Sequence, residues 1–347
     1  MAELVGDREV RKLQLTGGAT FTLSLPKRWV TAHGLSARDG VQVEWRPSGA
    51  LRLTPLDSFR EPRIVVVLDR DDIPEGALYD HLMAAYLSGA QTIRINSSPG
   101  VTRSDRSVIR HFLRSTRGFE VGDDTETSID LVCLLNSGEL PISSSLNRMY
   151  LQLTSLVRDI QSVLLGGPFA LIEDHEERER EVDALLHLIN RQVGAMLDSH
   201  SVAESLGLDR RQAVEHSNLA RALERMMDHA DQMAALVLSA DSRPEMSLED
   251  APLSLLPEWL GVMKTMMVQL RLRDPAEIQR ARTILKQALT SLEDHEEELW
   301  SEKRRRTSLL FDSRCSGSIR RLCAYARDFG EVLLNMLVYD DRLTQSR

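Results

Sequence analysis

From residue 141 to the end of the chain, apolar residues recur every three or four positions, and that period commits more than half of the sequence to packed helices. Two interruptions stand out, Gly166-Gly167-Pro168 and the stretch "DSRPEMSLEDAP". The sequence therefore predicts helices over 144–165, 173–198 and 209–239, then 254–272, 275–303 and 307–340. Serines at the start of "SSLNRMYLQL" suit an N-cap for the first of them. Three helices, a Pro-containing linker and three more helices read as a duplicated three-helix bundle.

Two of these helices carry carboxylates beside their apolar stripes. In the second, Val182, Leu185, Ile189, Val193 and Met196 form the stripe, with Glu179 and Asp183 on its flank. In the third, Leu223, Met227, Ala230, Ala234 and Val237 form it, flanked by Glu224 and Asp228. A four-residue step turns about 400°, so the two acids of each pair share one helix face. Packing the two faces together would bring four carboxylates into one place. Two like charges about 4 Å apart repel by about 4 kcal/mol at an effective dielectric near 20, so such acids either stay wet or hold cations. Oxygen-only donors suit Mg²⁺, Mn²⁺ or iron. An acid-rich helix start such as "EDHEEREREVD" is also favoured by the helix dipole alone, and spacing leaves both readings open. His175 and His187 continue the ladder of Glu179 and Asp183, and His229 and Asp231 lie close by in sequence. No histidine follows an acid by three residues, which argues against a Glu-x-x-His di-iron oxidase. Nor do the Ser, Cys, His and Asp residues assemble into a hydrolytic triad, so no enzymatic activity is expected.

The chain ahead of 141 has a different texture. "VRKLQLT" and "TFTLSL" alternate across Gly17-Gly18 as a hairpin. Pro26 opens a short helix through "KRWVTAH" that Gly34 stops, and "GVQVEW" with "ALRLTPL" forms a second hairpin. About fifty residues of this kind bury little by themselves and call for a partner chain. Residues 62–140 then read strand, helix, strand, helix and a hairpin, a small α/β layer without a phosphate loop or nucleophile elbow. It is either a spacer or a small-ligand sensor.

Charge separates these regions further. The chain carries 43 Lys/Arg against 52 Asp/Glu, yet residues 1–57 hold eight against six, so a polyanion would meet the protein there. Cys133, Cys315 and Cys323 are odd in number and lack CxxC spacing, which fits reduced thiols. No apolar run reaches the length of a membrane span, and "MAELVGDREVRK" has no apolar signal core. A cytoplasmic protein without membrane insertion is expected.

Two resemblances sharpen these expectations. "EVDALLHLINRQV" with "ALERMMDHADQMA" resembles the PhoU family of phosphate-signalling regulators, whose E-x-x-x-D motifs lie on tandem three-helix bundles and bind clustered metal ions. The resemblance spans 141–347 and implies a divalent metal or iron at Glu179, Asp183, Glu224 and Asp228. In the second repeat, Arg320 and Ala324 stand where the third helix would carry Glu and Asp. Asp294 and Glu298 are the expected acids of its companion helix, with Arg320 poised to neutralise them. The segment "RKLQLTGGATFTLSLPKRWVTAHGLSARDGVQVEWRPSGALRLTP" resembles the AbrB/SpoVT DNA-binding family, which implies a swapped-hairpin homodimer with Arg8, Arg11, Lys12, Lys27 and Arg28 facing DNA. These cations could equally be solubilising charges on a dimerisation module.

The expectation is thus a multidomain, mainly α protein. It has an AbrB-like swapped-hairpin β domain at 1–57, a small α/β domain at 58–140, and PhoU-like three-helix bundles at 141–242 and 243–347. The arrangement resembles archaeal phosphate uptake regulators. It implies a dimeric, DNA-binding regulator of phosphate homeostasis, or an adaptor that contacts a phosphate transporter or sensor kinase without touching DNA.

Overall fold

The computed structural model describes residues 9–45, 50–56, 64–135, 140–198, 200–240, 249–301 and 306–345. The chain divides into two compact units, one over 1–63 and the other over 64–346.

In the first unit, β1 (Gln14–Thr16) and β2 (Thr20–Thr22) pair antiparallel with Leu15 opposite Phe21. The turn uses Gly17 and Gly18 at φ +64° and +83°, a region where a side chain is strained. Helix α1 (Lys27–Ala32) follows Pro26, and β3 (Val41–Trp45) pairs with β4 (Leu51–Pro55). Strands β1 and β2 are shorter than the alternation suggested. Their apolar side chains are not buried: Leu15 is 61% exposed and Phe21 68%, and α1 buries no residue. Two hairpins and less than two turns of helix supply too little surface to cover them.

The second unit opens with a four-stranded sheet of β5 (Val65–Asp69), β6 (Thr92–Asn96), β7 (Phe119–Asp124) and β8 (Ser128–Cys133). The expected strand and helix sequence is present. The sheet order is β5-β6-β8-β7, with β5 and β6 parallel and β8 inserted antiparallel between β6 and β7. Helix α2 (Leu78–Leu87) starts later than expected, because Gly76 adopts φ +83° just before it. Helix α3 (Arg103–Ser115) begins with a capping box between Thr102 and Asp105. Leu82, Tyr86 and Phe112 from these helices meet Ile93, Ile95 and Leu131 of the sheet, all without solvent exposure.

Six long helices follow. They are α4 (Ile142–Leu164), α5 (His175–Asp198), α7 (Arg210–Leu238), α8 (Leu255–Leu272), α9 (Pro275–Ser301) and α10 (Arg306–Gln345). Pro141 rather than a serine sits at the N-cap of α4, and the serines fall within its first turn. Sequence periodicity did not resolve α6 (His200–Leu206), a short helix that ends at Gly207 with φ +64°. Asp209 then caps α7 in a box with Gln212. One continuous core runs through both trios of helices, from Ile142 to Met336, and α10 packs along α7. No helix among the described residues is long and apolar enough to cross a membrane.

A buried cation ties the sheet layer to the bundle. Arg191 of α5, 4% exposed, donates to the Tyr86 and Ala90 carbonyls at 2.6 and 2.7 Å and lies 5.0 Å from the Tyr86 ring centre. These carbonyls belong to the C-terminal end of α2 and the residues just beyond it, where the helix dipole favours a positive charge.

Candidate functional site

Every residue named above for the stripes of α5 and α7 is buried, so the helical phase read from the sequence is the phase of the fold. That phase brings the flanking acids together. Glu179 and Asp183 on α5 meet Asp228 on α7 with one carboxylate oxygen each, all within 4.8 Å of one another. Oxygens that share one cation at about 2.0–2.6 Å stand at most about 4–5 Å apart, so this spacing suits a common ion. Glu224, one turn before Asp228, joins the same electrostatic group through Asp228 and Asp183.

The carboxylates are half-buried, and their protonation records the strain of that arrangement. Burial, then repulsion from Asp183, Asp231 and Asp228, pushes Glu179 up to about 7. Glu224 is likewise pushed up to about 7 by burial and then by Asp228 and Asp183. Asp228 rises to about 6 by burial and then by its neighbours Asp183 and Asp231, and Asp183 rises chiefly through burial. Desolvation comes first in each case because the acids sit beside the apolar seam between α5 and α7.

Asp231 was noted in sequence only as a neighbour, but it has a distinct place. His175 Nδ1 lies 2.6 Å from Asp231 Oδ1, joining the start of α5 to α7 beside the acidic group. His187, one turn beyond Asp183, is held below the usual imidazole range by burial, against the opposing pull of the Asp183 charge, and its Nδ1 is buried without a hydrogen-bond partner among the described residues. The available signal was the four-residue ladder of His175, Glu179, Asp183 and His187 on α5; that His175 meets Asp231 of α7 depends on tertiary packing.

The second trio does not repeat the arrangement. Asp294 and Glu298 are exposed, and the acid that faces α10 is Glu296. The expectation was wrong in phase: Glu296 lies four residues after buried Leu292 and three before buried Leu299, whereas 294 and 298 lie off that stripe. Arg320 Nε sits 3.5 Å from Glu296 Oε1, and Ser316 donates to the same oxygen at 2.9 Å. Arg320 does neutralise an acid, but a different one from the pair expected. Among the described residues the only cluster with metal-ligand spacing is that of Glu179, Asp183 and Asp228.

Of the cations assigned to the first unit, Arg8 lies outside the described residues. Arg11 is paired with Glu9. Lys12 is exposed just ahead of β1, and Lys27 and Arg28 are exposed in the first turn of α1.

Residues 146–237, which span most of α4 and α7, all of α5 and all four carboxylates, match the PhoU domain. No curated protein matches the chain.

Proposed function

We propose that this chain is a regulator of phosphate uptake or homeostasis whose helical region holds a divalent metal or iron between α5 and α7. The reading rests on one observation above the others, the convergence of Glu179, Asp183 and Asp228 within 4.8 Å inside the PhoU match. With Glu224, these residues would supply hard oxygen ligands, and the cation would supply the positive charge that the site lacks. In this reading residues 141–242 and 243–347 are two PhoU-like repeats, of which the second has exchanged its acidic pair for Arg320 and Ala324. Residues 58–140 connect or sense, and residues 1–57 form an AbrB-like swapped-hairpin homodimer in the cytoplasm.

The first unit would contact DNA through Arg11, Lys12, Lys27 and Arg28, with Arg8 preceding them. Its exposed Leu15 and Phe21 favour a partner chain that covers them. Binding of this kind is driven by phosphate contacts and falls steeply with salt, with a slope of about −0.9 per phosphate neutralised. The test is a mobility shift of the protein's own promoter DNA across a salt series. The fourfold Ala variant at 11, 12, 27 and 28 should remain dimeric and lose both affinity and most of the salt slope. An unshifted promoter with wild-type protein would remove the DNA-binding half of the reading.

One observation favours a second reading. Arg11 is already paired with Glu9, which lowers the charge available to a polyanion. In that case the head only dimerises, and the helical region docks a phosphate transporter or sensor kinase. Unchanged promoter regulation in the fourfold variant would select it.

A further inference from the structure

Beside the acidic face of α7, about a quarter-turn round the helix, lies a groove of different character. On α10, Arg314, Gly317, Ser318 and Arg321 fall at steps of three and four and so form one stripe, with Arg320 beside it. On α7, His229, Gln232, Leu236 and Ser239 form the facing stripe. Between them is a groove of about 690 Å³, within the range of about 300–1,000 Å³ common for small-molecule sites.

Three features of this groove point to an anion. Its wall carries three guanidinium groups and no carboxylate, in a chain with nine more acids than bases. Arg320 reaches Glu296, but among the described residues neither Arg314 nor Arg321 has an ion-pair partner. Hydrogen-bond donors also converge: Ser318 and Gln232 share the lining with His229, whose ring is stacked with Tyr325 at 5.9 Å and 17°, while the Ser239 hydroxyl is already donated to the Leu236 carbonyl.

Size and shape narrow the ligand. The space exists because Gly317 and Ser318 are small where α10 faces α7, and a Cβ added at Gly317 would meet nothing within 4 Å. A single phosphate ion would fill only a small part of such a volume. Arg314 and Arg321 stand two turns apart on one face of α10, and long guanidinium side chains so spaced suit several phosphate groups in series rather than one. Ala235 and Leu236 add an apolar surface to the polar wall.

We propose that the groove between α7 and α10 binds a small oligophosphate-bearing anion, gripped by Arg314, Arg320 and Arg321. The ligand is either an inorganic phosphate chain or a nucleoside polyphosphate, which share this chemistry. The site does not depend on a cation at Glu179, Asp183 and Asp228.

The test is calorimetric titration of the full chain, stripped of metal with EDTA and desalted, so that anions recruited by a bound cation do not contribute. Tripolyphosphate, ATP, inorganic phosphate and a Glu-rich peptide are the probes. Tripolyphosphate or ATP should bind saturably, at least about tenfold tighter than inorganic phosphate. Preference for ATP identifies a nucleotide ligand, and preference for tripolyphosphate an inorganic chain. Arg314→Ala/Arg321→Ala should weaken the tighter probe by at least about tenfold. Gly317→Leu should weaken it comparably by filling the groove, with no change of charge and no loss of helix propensity. Arg103→Ala/Arg110→Ala, which removes two exposed cations from α3, should leave affinity unchanged. Equal affinity in wild type and both groove variants would overturn the site, as would no saturable binding of either oligophosphate by about 1 mM, a free energy near −4 kcal/mol. Tighter binding of the Glu-rich peptide than of both oligophosphates would overturn the ligand class.

Discussion

The α5–α7 pair and the α9–α10 pair place acids beside helix seams in similar ways and resolve the resulting charge differently. Between α5 and α7, Glu179, Asp183, Glu224 and Asp228 face one another, and protonation is their internal relief. Between α9 and α10, Glu296 meets Arg320 and Ser316, so the charge is answered from within the chain. A site that is neutralised internally has no need of a cation, whereas one that raises its own carboxyl pKa values stores a favourable interaction for an ion to release. The difference comes down to what stands on the facing helix: Asp228 in one case, Arg320 in the other.

The largest effect that would sharpen this contrast is cation-linked stability. Mn²⁺ or Mg²⁺ at a hundredfold over its dissociation constant should stabilise the wild type by about 2.7 kcal/mol. Glu179→Gln/Asp228→Asn should abolish that gain and make the cation-free protein more stable than wild type, because the amides remove the repulsion. Thermal melts with and without cation measure both effects, and a persistent gain in the variant would break the contrast.

Acidity gives the next effect. Because the folded carboxyls lie above their unfolded values, the folded cation-free protein binds more protons than the unfolded chain. The stability they contribute is therefore fully present below about pH 4 and is lost as pH rises, from 4.5 towards about 7 for Glu179 and Glu224 and from 3.8 towards about 6 for Asp228. After discounting for solvent access, the fall is on the order of 2 kcal/mol over the group. Denaturant melts across that window should show it in wild type and flatten in the double amide variant.

Two changes at position 320 probe the other pair. Arg320→Glu sets an acid against Glu296 and should cost about 1 kcal/mol, with part of the loss restored by a divalent cation. Arg320→Ala should cost less than about 1 kcal/mol, because the side chain is 46% exposed and the pair is long at 3.5 Å. Denaturant melts of the two variants, with and without Mg²⁺, separate these outcomes.

What could be read in the sequence follows the same division. The first acidic site was legible because Val182, Ile189, Leu223 and Ala230 fix the phase of their helices, and the acids sit one position away. In "LEDHEEELW" every position between the two leucines except His295 is an acid, so phase had to come from Leu292 and Leu299, and Asp294 and Glu298 were chosen one face off. Strand pairing next to a tight turn was legible, but the insertion of β8 beside β6 is a long-range choice that local pattern does not carry. The arginine-lined groove had only a faint signal in Gly317 and Ser318. Which helix faces them is decided by the packing of α10 on α7, more than eighty residues apart in sequence for His229 and Arg314.

The central claim is that the α5–α7 carboxylates hold a cation. Elemental analysis of full-length protein purified without chelator, wild type beside Glu179→Gln/Asp228→Asn, tests it most directly. The account predicts stoichiometric divalent metal or iron in the wild type and its loss in a variant that remains folded. Equal metal content in the two proteins would contradict it.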